Sequence, residues 1–266
     1  MKYGFIGVGN MAQAIIQGLL KAQTVSSTDI NVHSFHQAHA DQVAQKMHLT
    51  AQASNEAVIL ASDVVFLAVP ANQILDLLTH ERKPLTESMP IVVSMAAGVS
   101  LTEMSAILPG LAIVRIMPNV NVALNQGFTA VVGNDQAASH ATQQMLAVFQ
   151  QLGTALEMPE ADFTTVSALA GSSPAFAYIF IDALARAGVE AGLSKPVADQ
   201  IAAQAVQGSA AAVLAGQKSP WDLVDQVCSP GGTTVAGVLA LQENGFATAA
   251  IKAVEATIQK DQSNQS

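Results

Sequence analysis

The sequence predicts an α/β chain: a doubly wound, mostly parallel sheet followed by an all-helical second half. Three observations predict it. Short β-branched and apolar runs alternate with amphipathic segments as far as Met158, the strand runs stop after Pro159, and a glycine-rich turn follows the first run directly.

The strand-like runs are residues 3–8, 30–34, 63–69, 91–95 and 113–117. Their nearly continuous apolar character suits strands covered by helices on both faces. Two later runs, 128–132 and 154–158, are expected to extend the sheet at one edge. From residue 159 the chain is rich in Ala, Leu and Gln. Gly188, Gly192, Ser194 and Pro196 break two long helices there, with Ser194 as the expected N-cap. Further breaks are expected at 216–220 and 229–232, and the polar tail from Asp261 is expected to fray. The expected domains are therefore 1–158 and 159–266.

The 266 residues are half apolar, enough for one large core or two modest ones. Eleven Lys and Arg against 20 Asp and Glu give a net charge of −9, the wrong sign for attracting a phosphate backbone. Nucleic acid is not an expected partner. The single cysteine, Cys228, forms no intrachain disulfide and fits a reducing, cytoplasmic setting. No uninterrupted apolar run is long enough for a membrane span, so no membrane anchoring is expected. The alanine-rich helical faces favour burial in a homodimer, a single closed bundle being the alternative.

Gly7, Gly9 and Ala12 form G-x-G-x-x-A between the first strand and a helix, the arrangement of a Rossmann-type dinucleotide site. Gly7 permits the tight turn, Gly9 lets a pyrophosphate approach the backbone, and Ala12 keeps helix and strand close. At the tip of the second strand, Val32-His33-Ser34-Phe35-His36 offers no carboxylate for a ribose 2′-hydroxyl. Ser34 could donate to a 2′-phosphate and protonated His36 could pair with it, which favours NADPH, although no Arg or Lys is present. His33, His36 and His39 lack an acidic partner at metal-site spacing, so no metal is expected. His48, His80 and His140 read as solvated.

Ser229-Pro230-Gly231-Gly232 reads as a tight turn opening a helix, with the N–H groups of Gly232, Thr233 and Thr234 free to bind a carboxylate. The same residues also suit an ordinary helix cap.

Four stretches together resemble the signature segments of pyrroline-5-carboxylate reductases, in order and spacing over nearly the whole chain. They are Gly4-Phe5-Ile6-Gly7-Val8-Gly9-Asn10-Met11-Ala12, Val93-Ser94-Met95-Ala96-Ala97-Gly98-Val99, Leu169-Ala170-Gly171-Ser172-Ser173-Pro174-Ala175-Phe176, and Ser229-Pro230-Gly231-Gly232-Thr233-Thr234. The resemblance implies an NADP site lined by Ile6, Gly7, Val8, Gly9, Asn10, Met11, Ser34, Asn55, Ala68, Val69, Ala96 and Ala97; Pro70, next to Val69, and His36, from the strand tip, are expected to border it. It implies that Ser229, Thr233 and Thr234 hold the imino acid, with Gly232 and Ser172 as further expected contacts; from its place beside these N–H groups the Thr234 hydroxyl could reach the ring nitrogen, which makes it the expected catalytic residue. It further implies a helical dimerisation domain, substrate sites shared between two chains, and dimers assembling to a decamer. No strong acid or base is needed if the substrate arrives as its iminium, since the cofactor supplies the difficult chemistry.

The chain departs from the family pattern at three places: Pro70 stands where a lysine is usual, Ser173 replaces a glycine, and Phe176 replaces a tyrosine. Two other readings stay open. A dehydrogenase of another small carboxylate would need an inward catalytic lysine in the helical half, where Lys195 and Lys218 are at a helix start and in a turn. A non-catalytic NADP-binding regulator would keep the scaffold without the activity.

Overall fold

The computed structural model describes residues 1–137 and 140–265. The chain forms two compact units: Met1–Gly171 together with the residues from Asp261 onward, and Ser172–Lys260.

The first unit is built on eight strands: β1 (Tyr3–Ile6), β2 (Ile30–His33), β3 (Thr50–Ala51), β4 (Val64–Leu67), β5 (Ile91–Ser94), β6 (Ile113–Pro118), β7 (Gly127–Gly133) and β8 (Gly153–Glu157). They pair in the order β3-β2-β1-β4-β5-β6-β7-β8. All neighbours run parallel except β6 and β7, which are antiparallel. The order reverses between β1 and β4, where an open α/β sheet leaves a crevice at its carboxyl edge. The doubly wound sheet and its extension beyond β6 are as the sequence predicts. Thr50 and Ala51 are both exposed and carry no apolar run, so β3 has no signal in the sequence.

Helices α1 (Asn10–Lys21), α2 (Gln37–Met47), α3 (Asn55–Leu60), α4 (Ile74–His80), α5 (Arg82–Ser88), α6 (Leu101–Ile107), α7 (Ala141–Gln150) and α8 (Phe163–Val166) belong to this unit. The two faces of the sheet carry separate cores. Phe5, Val64 and Phe66 point into one with Ile15, Ile16, Leu19 and Phe149. Ile6, Val65 and Leu67 point into the other with Ile74, Leu78 and Leu85. The period-2 alternation of strand side chains divides these residues. Phe5 and Phe66 stack with ring centroids 4.6 Å apart, and Phe149 meets Phe66 edge-on at 6.3 Å.

The change of composition after Met158 and the end of this unit fall at different residues. Phe163 and Val166 are buried against Ala130 with Met117 and Phe128. Asn119 on the loop after β6 donates through Nδ2 to the Ala170 carbonyl at 3.0 Å, across a π-helical turn at Ser167–Gly171. The segment is helical, yet its apolar side is satisfied by the sheet.

The second unit contains α9 (Ser173–Glu190), α10 (Lys195–Leu214), α11 (Pro220–Val227), α12 (Thr233–Glu243) and most of α13 (Phe246–Gln265). The breaks expected near Gly192, Gly216 and Gly231 are all present, each of these glycines at positive φ. Ser194 occupies the N-cap position of α10 but makes no side-chain cap bond. Ser219 does cap α11, in a reciprocal capping box with Asp222. The tail expected to fray is helical as far as Gln265, because Asp, Gln, Ser and Asn without Gly or Pro let the alanine-rich helix run on. The core of this unit is small: Ala185, Ala198 and Ala202 with Ile181 beside them. Tyr178, Ile179, Ile201, Leu214, Trp221 and Ile251 remain exposed on the single chain.

The stretch Glu160–Glu190 is long and apolar enough, by length and composition, to cross a membrane. It is not an uninterrupted apolar run, because Gly171, Ser172 and Ser173 lie within it.

Candidate functional site

The strand-to-helix turn after β1 is shaped by its glycines. Gly7 has φ +96°, and its N–H donates to the His33 carbonyl at 2.8 Å. A Cβ at Gly7 would collide with the Ala68 carbonyl at the end of β4. The positive φ also ends β1 at Ile6, two residues before the end of the apolar run. Gly9 is the N-cap of α1, and a Cβ built on it meets nothing within 4 Å. The N–H groups of Asn10, Met11 and Ala12 therefore begin a 12-residue helix beneath open space, the arrangement a pyrophosphate needs. Ala12 is buried. Gln13 braces the turn by donating from Nε2 to the Val8 carbonyl at 2.8 Å, a role with no signature in the motif.

A cleft of about 570 Å³ opens beside this turn. Of the expected cofactor residues it collects Ile6, Gly7, Ser34, Asn55 and Val69. Val8, Gly9, Asn10, Met11, Ala68, Pro70, Ala96 and Ala97 follow the ends of β1, β4 and β5 on the same sheet edge without lining this cleft. His36 is not in it. It is exposed at the N-cap of α2, its ring edge-on to Phe35 at 5.0 Å. Instead the cleft takes His33, Phe35, Gln73, Asp76, Leu77, His80 and Glu81, most of them from α4 and its ends. His80 is exposed, as expected, but it also borders this cleft, and its Nδ1 donates to the Asp76 carbonyl at 2.7 Å. Only the amphipathic spacing of α4 could have pointed to these residues, and it does not show which face meets the cleft.

The Ala96-Ala97 turn is held from below. Arg115 on β6 is buried; its Nη2 donates to the Ala96 carbonyl at 3.2 Å and its Nη1 to Glu160 Oε1 at 2.5 Å. The guanidinium also lies over the Phe163 ring, 5.1 Å from its centroid. Glu160 Oε1 accepts in addition the Leu101 N–H at 2.8 Å. Ala97 and Gly98 are exposed, Gly98 at φ +76°. Sequence reasoning missed the Arg115–Glu160 pair, whose partners are 45 residues apart.

In the second unit, Ser229, Thr233 and Thr234 are exposed on one turn, Gly231 has φ +70°, and Gly232 is the N-cap of α12. The Gly232 N–H is not free: it closes the turn onto the Ser229 carbonyl at 2.9 Å. The N–H groups of Thr233 and Thr234 are the first two of the helix, which have no intrahelical acceptor. Ser172 precedes α9 and, among the described residues, makes no hydrogen bond to this turn. Lys195 is held by Asp199 and by Asp182 at 3.0 Å, and those hydrogen bonds raise its pKa above the usual lysine value. An ammonium so paired on an exposed surface does not suit a buried general acid.

A family model described as pyrroline-5-carboxylate reductase dimerisation matches residues 160–264, and one described as NADP oxidoreductase, coenzyme F420-dependent, matches residues 2–98. The pyrroline-5-carboxylate reductase of Synechocystis is 34% identical over 98% of this chain and 97% of its own length. The chain belongs to the pyrroline-5-carboxylate reductase family. Among solved members, the enzyme of Streptococcus pyogenes superposes with a TM-score of 0.86 at 35% identity, covering 99% of this chain and 98% of its own. A Plasmodium falciparum member with NADP bound gives 0.86 at 25% identity, covering 100% and 98%. The dimerisation match covers the helical unit, whose large apolar side chains are exposed on the single chain.

Proposed function

We propose that the chain reduces 1-pyrroline-5-carboxylate to L-proline with NADPH. The observation that carries this is the helix start at Thr233 and Thr234, a carboxylate-sized set of N–H donors beside a hydroxyl, in a chain that also has a dinucleotide turn at Gly7–Gly9. When bound, NADPH supplies the hydride.

The Thr233 and Thr234 N–H groups hold the substrate carboxylate, with Ser229, Gly232 and Ser172 shaping the pocket. The Thr234 hydroxyl hydrogen-bonds the ring nitrogen and orients the C=N carbon. As hydride adds to that carbon, the π pair moves to nitrogen, which keeps its proton if the substrate enters as the iminium or takes one from water if it does not. The Thr234 oxygen accepts from the N–H of the amine so formed. On the cofactor side, the α1 N-terminus at Gly9 would hold the pyrophosphate, with Val8, Asn10, Met11, Ala68, Val69, Pro70 and the Ala96-Ala97 turn as the residues that would border the dinucleotide. Ser34 and Asn55, which line the cleft, would hold its adenosine end.

The finer assembly we propose is a homodimer through the helical unit, substrate sites completed by both chains, dimers gathered into a decamer, and a cytoplasmic location. Oxidation of NADPH on adding pyrroline-5-carboxylate, with proline identified as product, tests the activity. Binding of NADPH without turnover would favour the non-catalytic regulator.

A further inference from the structure

The tip of β2 carries no carboxylate, but the cleft beside it does. Among the described residues, its charged members are Asp76 and Glu81, its other titratable side chains are His33 and His80, and no lysine or arginine lines it. Both histidines commit one ring nitrogen to a backbone carbonyl, His33 Nδ1 to Gln52 at 3.2 Å and His80 Nδ1 to Asp76 at 2.7 Å. Glu81 is fixed as well: Asn55 Nδ2 donates to its Oε1 at 3.1 Å. That bond uses a donor of Asn55, one of the few neutral donors in the cleft, and holds a carboxylate inside it.

A carboxylate in an adenosine cleft distinguishes two dinucleotides. The ribose of NADH offers hydroxyl donors that a carboxylate accepts, whereas the 2′-phosphate of NADPH offers only anionic oxygens that it repels. We propose that Glu81 determines the cofactor preference of this chain, accepting the ribose hydroxyl and opposing the 2′-phosphate, so that NADH is used alongside NADPH. The carboxylate that many NAD sites place at the end of β2 is here supplied by the end of α4. The proposal rests on reading this cleft as the adenosine half of the cofactor site.

The test is kcat/KM for NADH and NADPH at saturating pyrroline-5-carboxylate. In the wild type the two values should lie within about tenfold of each other, since neutral donors and a carboxylate give little discrimination in favour of phosphate. Glu81→Gln, which keeps an acceptor for Asn55 and removes the charge, should raise the NADPH-to-NADH ratio about tenfold, mainly through KM. Arg82→Ala, a change beside Glu81 but outside the cleft, should leave the ratio unchanged. An unchanged ratio in Glu81→Gln, equal loss of both cofactors in that variant, or a ratio that falls in Arg82→Ala would overturn the proposal. Gly9→Val tests the underlying site separately. It should raise KM for both dinucleotides, and if it does not, the cofactor site is elsewhere and the role of Glu81 fails with it.

Discussion

Replacing Arg115 with methionine keeps most of its aliphatic length and removes the guanidinium. Three interactions go: the 2.5 Å bond to Glu160, the 3.2 Å bond to the Ala96 carbonyl, and the contact with the Phe163 ring. The Arg115 side chain is 8% exposed and that of Glu160 is 30% exposed. Breaking a fully buried pair costs about 3–5 kcal/mol, chiefly because the surviving charge is stranded. Glu160 reaches water and keeps the Leu101 N–H, so the expected loss is about 2–4 kcal/mol. Glu160→Gln keeps an amide oxygen for both donors but leaves the more deeply buried guanidinium without its counter-charge, so it should cost about as much, about 2–4 kcal/mol. Urea denaturation of both single variants and of the double variant measures the coupling. The double variant should be clearly more stable than the sum of the single losses implies. Strictly additive losses, or an Arg115→Met midpoint equal to wild type, would show that the pair does not act as a unit. If the Ala96-Ala97 turn borders the cofactor, Arg115→Met should also raise KM for NADPH under conditions where it is fully folded.

Thr234→Ala should lower kcat by about 2–4 kcal/mol of transition-state stabilisation while NADPH binding is kept, and Thr234→Ser should recover most of the rate; wild-type kinetics in Thr234→Ala would reduce Thr234 to a helix residue. Ile179 is 71% exposed on the single chain, so Ile179→Asp should convert the oligomer to smaller species in sedimentation velocity, and an unchanged profile would remove this face from the interface. Burial and, to a smaller extent, Asp63 push the Tyr3 phenol up to about 12. The unfolded chain then releases this proton near pH 10 and the folded one only near 12, so its contribution to stability is intact below about pH 10 and lost above it, by about 2–3 kcal/mol in full. Tyr3→Phe should flatten that alkaline decline, and an identical decline in both proteins would assign it to other groups.

The sheet was legible because its strands are buried on both faces, which leaves runs such as Val64–Leu67 unbroken by polar residues. The turn at Gly7 was legible because its backbone conformation and its closeness to Ala68 both require glycine. β3 was not, since two exposed residues carry no pattern. For the cleft beside Gly7 the sequence shows the strand ends but not α4, because a motif is local whereas a cleft wall comes from whatever helix packs beside it. His36 follows Ser34 closely in sequence, but at the N-cap of α2 it is exposed and outside the cleft, and His80 is in it. The turn and helix start at Ser229–Thr234 were legible in residue type, but not the Gly232 N–H, which closes the turn onto the Ser229 carbonyl.

The docking of residues 160–171 on the sheet bears on how this protein can be cut or recombined. A fragment ending at Met158, where the composition changes, would lose Glu160 and Phe163, leaving the Arg115 guanidinium without its carboxylate and Ala130 without its apolar cover. A fragment carried on through Gly171 keeps the ion pair, the ring beneath the guanidinium and the Asn119 bond to Ala170. Chimeras that exchange helical halves between relatives should therefore be joined after the π-helical turn, where the native cross-links stay on one parent.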